Sequence, residues 1–279
     1  MPNLVYLNSK YIPFKDAKIP IEDRGFQFSD SVYEVVKIIN KKILDFDFHM
    51  RRLKYSTSVS YTHLTLPTTW LKKIFQNLII KNKLSNGIIY LQITRGVQSR
   101  EHAYKKNLKP NVVVYTAKKK FNLPNKNYKG FKAITYPDIR WGRPDIKTTS
   151  LLANIIAATE ASKKGAYETI LVKGQKITEA AHSNVWIVKG NTIITHPANK
   201  EILKGVTRTV LINIIHSLGL KLTEKEFTLK ELYKSDEVFI TSSGSLVTPI
   251  TQIDNIKINN KKIGKITKAL ALSFYKSII

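Results

Sequence analysis

The chain contains no cysteine in its 279 residues. That single absence excludes disulfides, thiolate metal ligands and cysteine nucleophiles, and it suits a reducing compartment. The opening MPNLVYLNSKYIPFKD has neither a basic n-region nor an apolar h-region, so no secretory leader is expected. Long apolar runs are missing too. Stretches such as Ile88 to Leu91 and Ile193-Ile194 are strand-sized, far short of the roughly 20 residues needed to cross a bilayer. The expectation is a soluble cytoplasmic protein. Acidic residues are few, with 20 Asp and Glu against 46 Lys and Arg, giving a formal net charge of +26. A charge this high raises the question of nucleic acid. The lysines are nevertheless spread along the whole chain, with Lys-Lys pairs starting at 41, 72, 105, 163 and 261, and no basic arm or arginine-rich helix stands out. This is a compositional bias carried on solvated faces. Weak polyanion binding at low salt is expected, and a specific nucleic-acid partner is not.

Hydrophobic residues make up 43% of the chain, enough for a substantial core over two modest domains. Strand patterns cover Leu4 to Leu7, Val32 to Ile39 and Ile43 to Phe48, with Asn40-Lys41-Lys42 as a turn. Helices are predicted over His49 to Ser58 and Thr69 to Lys83, the second with Leu71, Ile74 and Leu78 on one face. Further strands follow at Ile88 to Arg95 and Val112 to Thr116. The polar stretch KKKFNLPNKNYK (118–129) is the best linker. Beyond it, helices are expected over Leu151 to Lys164, stopped by Gly165, and Gly205 to Leu218. Strands are expected at Glu168 to Val172, Val185 to Val188, Thr192 to Thr195, Glu237 to Thr241 and Val247 to Ile250. Strands and helices mix in both halves, so the predicted class is α/β (α+β mixed). The expected domains are residues 1–120 and 125–279, with 121–124 as linker.

Three segments of the second half carry chemistry. Lys147 lies in Asp145-Ile146-Lys147-Thr148-Thr149-Ser150, just ahead of the helix at 151. Most such lysines are solvated charges; one that is partly buried has a lowered pKa and can attack an aldehyde. Glu179 lies in Thr178-Glu179-Ala180-Ala181-His182-Ser183-Asn184-Val185, where alone it reads as a cap or surface carboxylate. The run Ile202-Leu203-Lys204-Gly205-Val206-Thr207-Arg208 opens a helix, and amides plus a hydroxyl at a helix N-terminus suit a phosphate.

In order and spacing, E-x-A-x-x-N-V (179–185), Ile193-Ile194-Thr195 and Leu203 to Arg208 resemble the signature of the class IV aminotransferases, the fold-type IV pyridoxal-phosphate enzymes. Trp186 stands where the signature has Phe or Tyr. The resemblance runs nearly end to end and is nearest to the D-amino acid aminotransferases of that family, whose N-terminal motif is similar to Glu22 through Val35. Ser29 and Ser31 replace its usual glycines. The resemblance implies a two-domain architecture and pyridoxal 5'-phosphate as cofactor. Lys147 would carry the cofactor as a Schiff base and move the proton at the substrate Cα. Glu179 would pair with the pyridine nitrogen, and Leu203 would pack on the ring face. The phosphate would be held by Arg52, by the amides and hydroxyl at Val206 and Thr207, and by Ser243, where the family commonly has Thr.

The segment Thr94 to His102 decides the subfamily. Read alone, it is a polar loop after a strand. By resemblance, Arg100-x-His102 with Tyr33 traps the substrate α-carboxylate, and fixing that group on one side of the ring selects the enantiomer. Transfer from a D-amino acid such as D-alanine to 2-oxoglutarate, yielding pyruvate and D-glutamate, is therefore expected. A branched-chain L-aminotransferase or aminodeoxychorismate lyase is the alternative. The resemblance also implies a homodimer, because in the family this loop reaches the neighbouring subunit's site. His49 is expected to cap the helix or pack beside Arg52, and His63 and His216 to be structural. His182 lies close enough to Glu179 to be a candidate for touching substrate. No His/Asp/Glu grouping shows metal spacing along the sequence, so no metal is expected.

Overall fold

The computed structural model describes residues 3–62, 67–125 and 127–278. They divide into two compact units. The first comprises residues 1–120 with 146–150; the second comprises 121–145 with 151–279. The 146–150 segment, expected in the second domain, thus groups with the first.

In the first unit the strands are β1 (Leu4–Leu7), β2 (Lys10–Pro13), β3 (Ser31–Ile39), β4 (Lys42–Ile43), β5 (Gly87–Thr94) and β6 (Val112–Lys118), and the helices are α1 (Arg24–Phe28), α2 (Phe46–Val59) and α3 (Thr68–Lys81). The strands form an antiparallel sheet in the order β2-β1-β6-β5-β3-β4. Side chains of α2 (Phe46, Met50, Leu53) and α3 (Leu71, Ile74, Phe75, Leu78) share one core with Val32, Val36, Ile89, Leu91 and Ile93 of the sheet. Strand β4 pairs only with Ile38 and Ile39, which leaves the start of β3 with an open edge. Residues 147–149 fill it. Tyr33 N donates to Lys147 O (3.0 Å), Thr149 N donates to Ser31 O (3.3 Å), and Val32 and Thr148 form an antiparallel bridge. Unpaired backbone groups at a strand edge need such partners, and here they tie the Lys147 segment to β3.

A strand expectation also fails in this unit. The strand predicted over Ile43 to Phe48 stops at Ile43, and α2 begins at Phe46 after Asp45 in the left-handed region (φ 56°). Leu44, Phe46 and Phe48 alternate as a strand would, but Phe46, Met50 and Leu53 also fit a helical face. Packing of Phe46 edge-on against Phe75 (5.8 Å) decides for the helix. His63 lies outside the described residues.

The second unit holds strands β7 (Phe131–Pro137), β8 (Glu168–Lys173), β9 (Lys176–Ala180), β10 (Asn184–Lys189), β11 (Thr192–Thr195), β12 (Lys221–Glu224), β13 (Phe227–Thr228), β14 (Glu237–Ser242), β15 (Leu246–Ile253) and β16 (Ile256–Lys257), with helices α4 (Leu152–Lys163), α5 (Val206–Ser217), α6 (Leu229–Tyr233) and α7 (Lys265–Ile278). Its sheet runs β12-β11-β10-β14-β15-β7-β8-β9-β13, with β16 beside β15. The β11/β12, β15/β7 and β7/β8 pairs are parallel. The mixed α/β class expected from the sequence is thus present. Strands β7 and β9 go beyond the sequence pattern; β9 places Glu179 in a buried strand rather than in a cap or surface loop. Among the described residues, no helix is long and apolar enough to cross a membrane.

Candidate active site

The residues singled out in the sequence fall into two groups, one in each unit. In the first unit, Lys147 is half-buried and its backbone N donates to Ser56 Oγ on α2 (3.2 Å). Its ammonium lies 4.1 Å from the centre of the Tyr33 ring. A cation over an aromatic face is attracted by the ring quadrupole, so Tyr33 fixes where the amine rests. Tyr33 stacks on Tyr90 (5.6 Å), which packs on Tyr115 (5.0 Å). Tyr90 donates to Gln92 Oε1 (2.9 Å), Gln92 to Ser31 Oγ (3.1 Å), and Ser31 shares a hydrogen bond with Thr149 (2.5 Å). Sheet and lysine segment are thus joined by side chains as well as backbone.

Arg52 is held by Glu34, which is fully buried. Arg52 Nε donates to Glu34 Oε1 and Nη2 to Oε2, each at 2.8 Å. His49 Nδ1 sits 2.7 Å from Glu34 Oε2, one helical turn from Arg52, so His49 does pack in this group. Burial alone would raise the Glu34 carboxyl, but the Arg52 guanidinium overrides it and holds the group well below the usual carboxylate range. Burial lowers His49, which Glu34 only partly offsets.

Arg100 and His102 are exposed, and both pack against Phe28 (4.7 Å to the ring centre for the Arg100 guanidinium, 5.5 Å between rings for His102). The backbone at Glu101 and His102 is held by buried Arg24, which donates to Glu101 O (2.6 Å), His102 O (2.9 Å) and Asp30 Oδ2 (2.9 Å). Arg24 belongs to the N-terminal motif, yet the motif alone does not disclose its role as anchor of this loop.

In the second unit, Glu179 is 5% exposed and surrounded by donors. Arg140 forms an ion pair with Oε1, Asn184 Nδ2 donates to Oε2 (3.0 Å), and Leu203 N donates to both oxygens (3.1 and 3.2 Å). Asn184 Nδ2 also donates to Leu203 O (2.9 Å). Arg140 is itself gripped by Asp138, from Nε (2.9 Å) and Nη2 (2.7 Å). Burial pushes the Glu179 carboxyl up to about 7, with Arg140 and the Leu203 amide working against it. Arg140 is raised: burial opposes its charge, but Asp138 and Glu179 outweigh that. Neither Asp138 nor Arg140 carries a sequence signal, since they reach Glu179 only through the fold.

Helix α5 starts at Val206 with Gly205 as N-cap, and Val206 and Thr207 in its first turn are buried. A Cβ on Gly205 would meet Asn184 Oδ1 at 2.1 Å, so glycine is required for Asn184 to reach both Glu179 and Leu203. Ser243 is half-buried in the turn between β14 and β15. His182 is exposed and pairs with buried Glu168 (3.1 Å). His216 is exposed in the last turn of α5.

The family model for "Amino-transferase class IV" matches residues 31–253. Among known proteins, the chain is 37% identical over 276 residues to D-alanine aminotransferase of Listeria monocytogenes serotype 1/2a (strain 10403S), covering 98% of this chain and 96% of that one. It is 37% identical to the D-alanine aminotransferase of Bacillus licheniformis (99% and 97% covered) and 34% to that of Staphylococcus aureus strain MSSA476 (98% and 97%). In fold it is similar to the branched-chain amino acid aminotransferase of Escherichia coli, with a TM-score of 0.89 at 22% identity over 99% of this chain and 94% of that one. The branched-chain aminotransferase of Thermoproteus uzoniensis gives 0.88 at 23% identity, over 99% and 94%. Another branched-chain aminotransferase, solved with pyridoxamine 5'-phosphate, gives 0.91 at 21% identity over the same shares. The chain belongs to the class IV aminotransferases, enzymes that depend on pyridoxal 5'-phosphate.

Proposed function

We propose that the chain transfers the amino group of D-amino acids, D-alanine first among them, to a 2-oxo acid such as 2-oxoglutarate, giving pyruvate and D-glutamate. The observation that carries this reading is the near full-length similarity to D-alanine aminotransferases at 34–37% identity. The Arg100-x-His102 loop, held in place by Arg24, supports it.

The residues present suit the cofactor. Arg52, set by a buried carboxylate, and the N-terminus of α5 are donors of the kind a dianionic phosphate requires. Glu179, buried and clamped, is an acceptor suited to a protonated ring nitrogen. When bound, pyridoxal 5'-phosphate supplies the electron-withdrawing ring that makes the substrate Cα–H acidic. Lys147 would carry the cofactor and, once its amine is freed by the incoming substrate amine, would take the proton from Cα, with Tyr33 orienting that amine. Glu179 would keep the ring nitrogen protonated, Leu203 would cover the ring, and Arg52, Val206, Thr207 and Ser243 would hold the phosphate, as the family resemblance implies. Tyr33, Arg100 and His102 receive the α-carboxylate through a guanidinium fork with imidazole and phenol donors. The enzyme works as a homodimer. In support, α4 leaves Leu152 (72%), Ile155 (59%) and Ile156 exposed, an apolar face that a second copy would cover.

A panel of D- and L-amino acids with 2-oxoglutarate, scored for product chirality, tests the reading. Turnover of D-alanine with D-glutamate as product is expected. Turnover of L-leucine without D-alanine would overturn it.

A further inference from the structure

The second unit carries a cluster that the transamination chemistry does not use. His196 follows the end of β11, Glu226 follows the end of β12, and Glu201 lies in the turn leading to Leu203. β11 and β12 are parallel, with Thr195 beside Glu224, and Lys225 N donates to Thr195 O (3.0 Å), which brings the two strand ends together. One ligand atom from each of His196, Glu201 and Glu226 falls within 4.8 Å of the others.

His196 is 1% exposed, and its two ring nitrogens are in different situations. Nδ1 lies 2.8 Å from Pro197 O. A carbonyl only accepts, so Nδ1 carries the proton, and in the neutral ring Nε2 presents a lone pair. That Nε2 is buried with no hydrogen-bond partner, 3.6 Å from Glu201 Oε2. A buried lone pair facing a carboxylate is unfavourable, and either a proton on Nε2 or a metal cation between the two groups relieves it. A carbonyl that accepts from the far ring nitrogen, and so fixes the tautomer, is the usual companion of a metal-bound histidine. The backbone at this position is also anchored, since Arg208 Nη2 donates to His196 O (2.9 Å).

We propose that His196, Glu201 and Glu226 form a binding site for a divalent cation of the zinc class. Imidazole with two carboxylates suits Zn²⁺ far better than Mg²⁺. Bonds of about 2.0–2.2 Å place tetrahedral ligands roughly 3.4 Å apart, so the cluster contracts slightly on binding. Glu201 and Glu226 are only partly buried and have room to move. Lys173 occupies Glu201 Oε1 (2.9 Å) and Lys176 pairs with Glu226 Oε2. These lysines neutralise part of the site, so affinity is expected in the micromolar rather than the nanomolar range. A bound ion would also act beyond the cluster. Glu201 O accepts from Arg140 Nη2 (3.2 Å), and Arg140 clamps Glu179, so the ion would stiffen the turn that carries Leu203.

The test is equilibrium dialysis of untagged, chelator-stripped holoenzyme against micromolar Zn²⁺, with zinc per chain read by atomic emission. One zinc per chain is expected, with at least tenfold weaker retention in both Glu226→Gln and His196→Gln. Thermal stability should rise with Zn²⁺ in the wild type and not in the variants. Glu226 is partly exposed, so its variant decides the matter if His196→Gln does not fold. Wild type that retains no zinc, or a Glu226→Gln variant that retains as much, would overturn the proposal. Neither outcome bears on which amino acid is transaminated.

Discussion

Glu34 grips Arg52 with both carboxylate oxygens, through two hydrogen bonds of 2.8 Å, from a position with no solvent exposure. An arginine held at the fork presents its remaining donor edge in one direction, which is what a phosphate site needs. Orientation here costs stability if either partner is lost, because a buried charge without its counter-charge is expensive.

Glu34→Gln should therefore destabilise the protein by roughly 3–5 kcal/mol and weaken cofactor retention. Thermal melts with and without pyridoxal 5'-phosphate would check both effects. The pH dependence has a definite sign. The Glu34 carboxyl is depressed below its ordinary 4.5, so its contribution is present above that value and is lost as pH falls below it. His49 is lowered from 6.5, so charging it also opposes the folded state on the acid side. Wild-type stability should fall steeply below pH 4.5, and Glu34→Gln should flatten that fall.

Glu179 has the opposite sign. Burial raises its carboxyl from 4.5 to about 7, so the folded chain binds the proton more tightly than the unfolded one. In the cofactor-free protein, stability should decline as pH rises from 4.5 through 7, by an amount on the order of 2 kcal/mol. Glu179→Gln should remove that slope. Arg140→Met, which deletes the nearest counter-charge, should extend it above pH 7. Denaturant melts across pH 5 to 8 separate the three proteins, and a wild-type slope equal to that of Glu179→Gln would contradict the argument.

The residues proposed for the main chemistry are legible in the sequence because they are written in contiguous runs. Lys147, Glu179, Leu203 and Thr207 sit in motifs whose order and spacing survive without a structure. Their supports are not contiguous. Arg140 meets Glu179 across 39 positions, and Asp138-x-Arg140 looks like any polar turn. Glu34 and Arg24 lie inside the N-terminal motif, but a carboxylate and a guanidinium do not announce their partners. Likewise His196, Glu201 and Glu226 have no metal spacing along the chain, because parallel strand ends and a turn bring them together. The Leu44 to Phe48 stretch misleads for a different reason. Its alternation satisfies both periods, and only the packing against α3 separates them.

Gly205 should prove intolerant of a methyl group. A Cβ there lies 2.1 Å from Asn184 Oδ1, and Asn184 cannot yield without losing its bonds to Glu179 and Leu203. Gly205→Ala is expected to cost roughly 1–3 kcal/mol. In an Asn184→Ala background the cost should shrink, because the obstructing amide is gone. A double-mutant cycle on denaturant midpoints reads the coupling.

The last prediction separates the loop from the residues it carries. Arg100→Ala removes the charged donor proposed for the substrate carboxylate, so KM for D-alanine should rise roughly 10- to 100-fold, as loss of about 1.5–3 kcal/mol implies. Arg24→Lys leaves Arg100 and His102 in the chain and retains the charge facing Asp30, but it loses the fork onto the carbonyls of Glu101 and His102. It should raise KM by a smaller factor with kcat nearly unchanged, since a loosened loop weakens carboxylate capture without altering Lys147. Steady-state kinetics with D-alanine distinguish this from a fold defect, which would lower the active fraction and hence kcat while leaving KM in place. If Arg24→Lys lowered kcat at constant KM, the loop-anchoring role assigned to Arg24 would fail, while the carboxylate role of Arg100 would stand or fall on its own substitution.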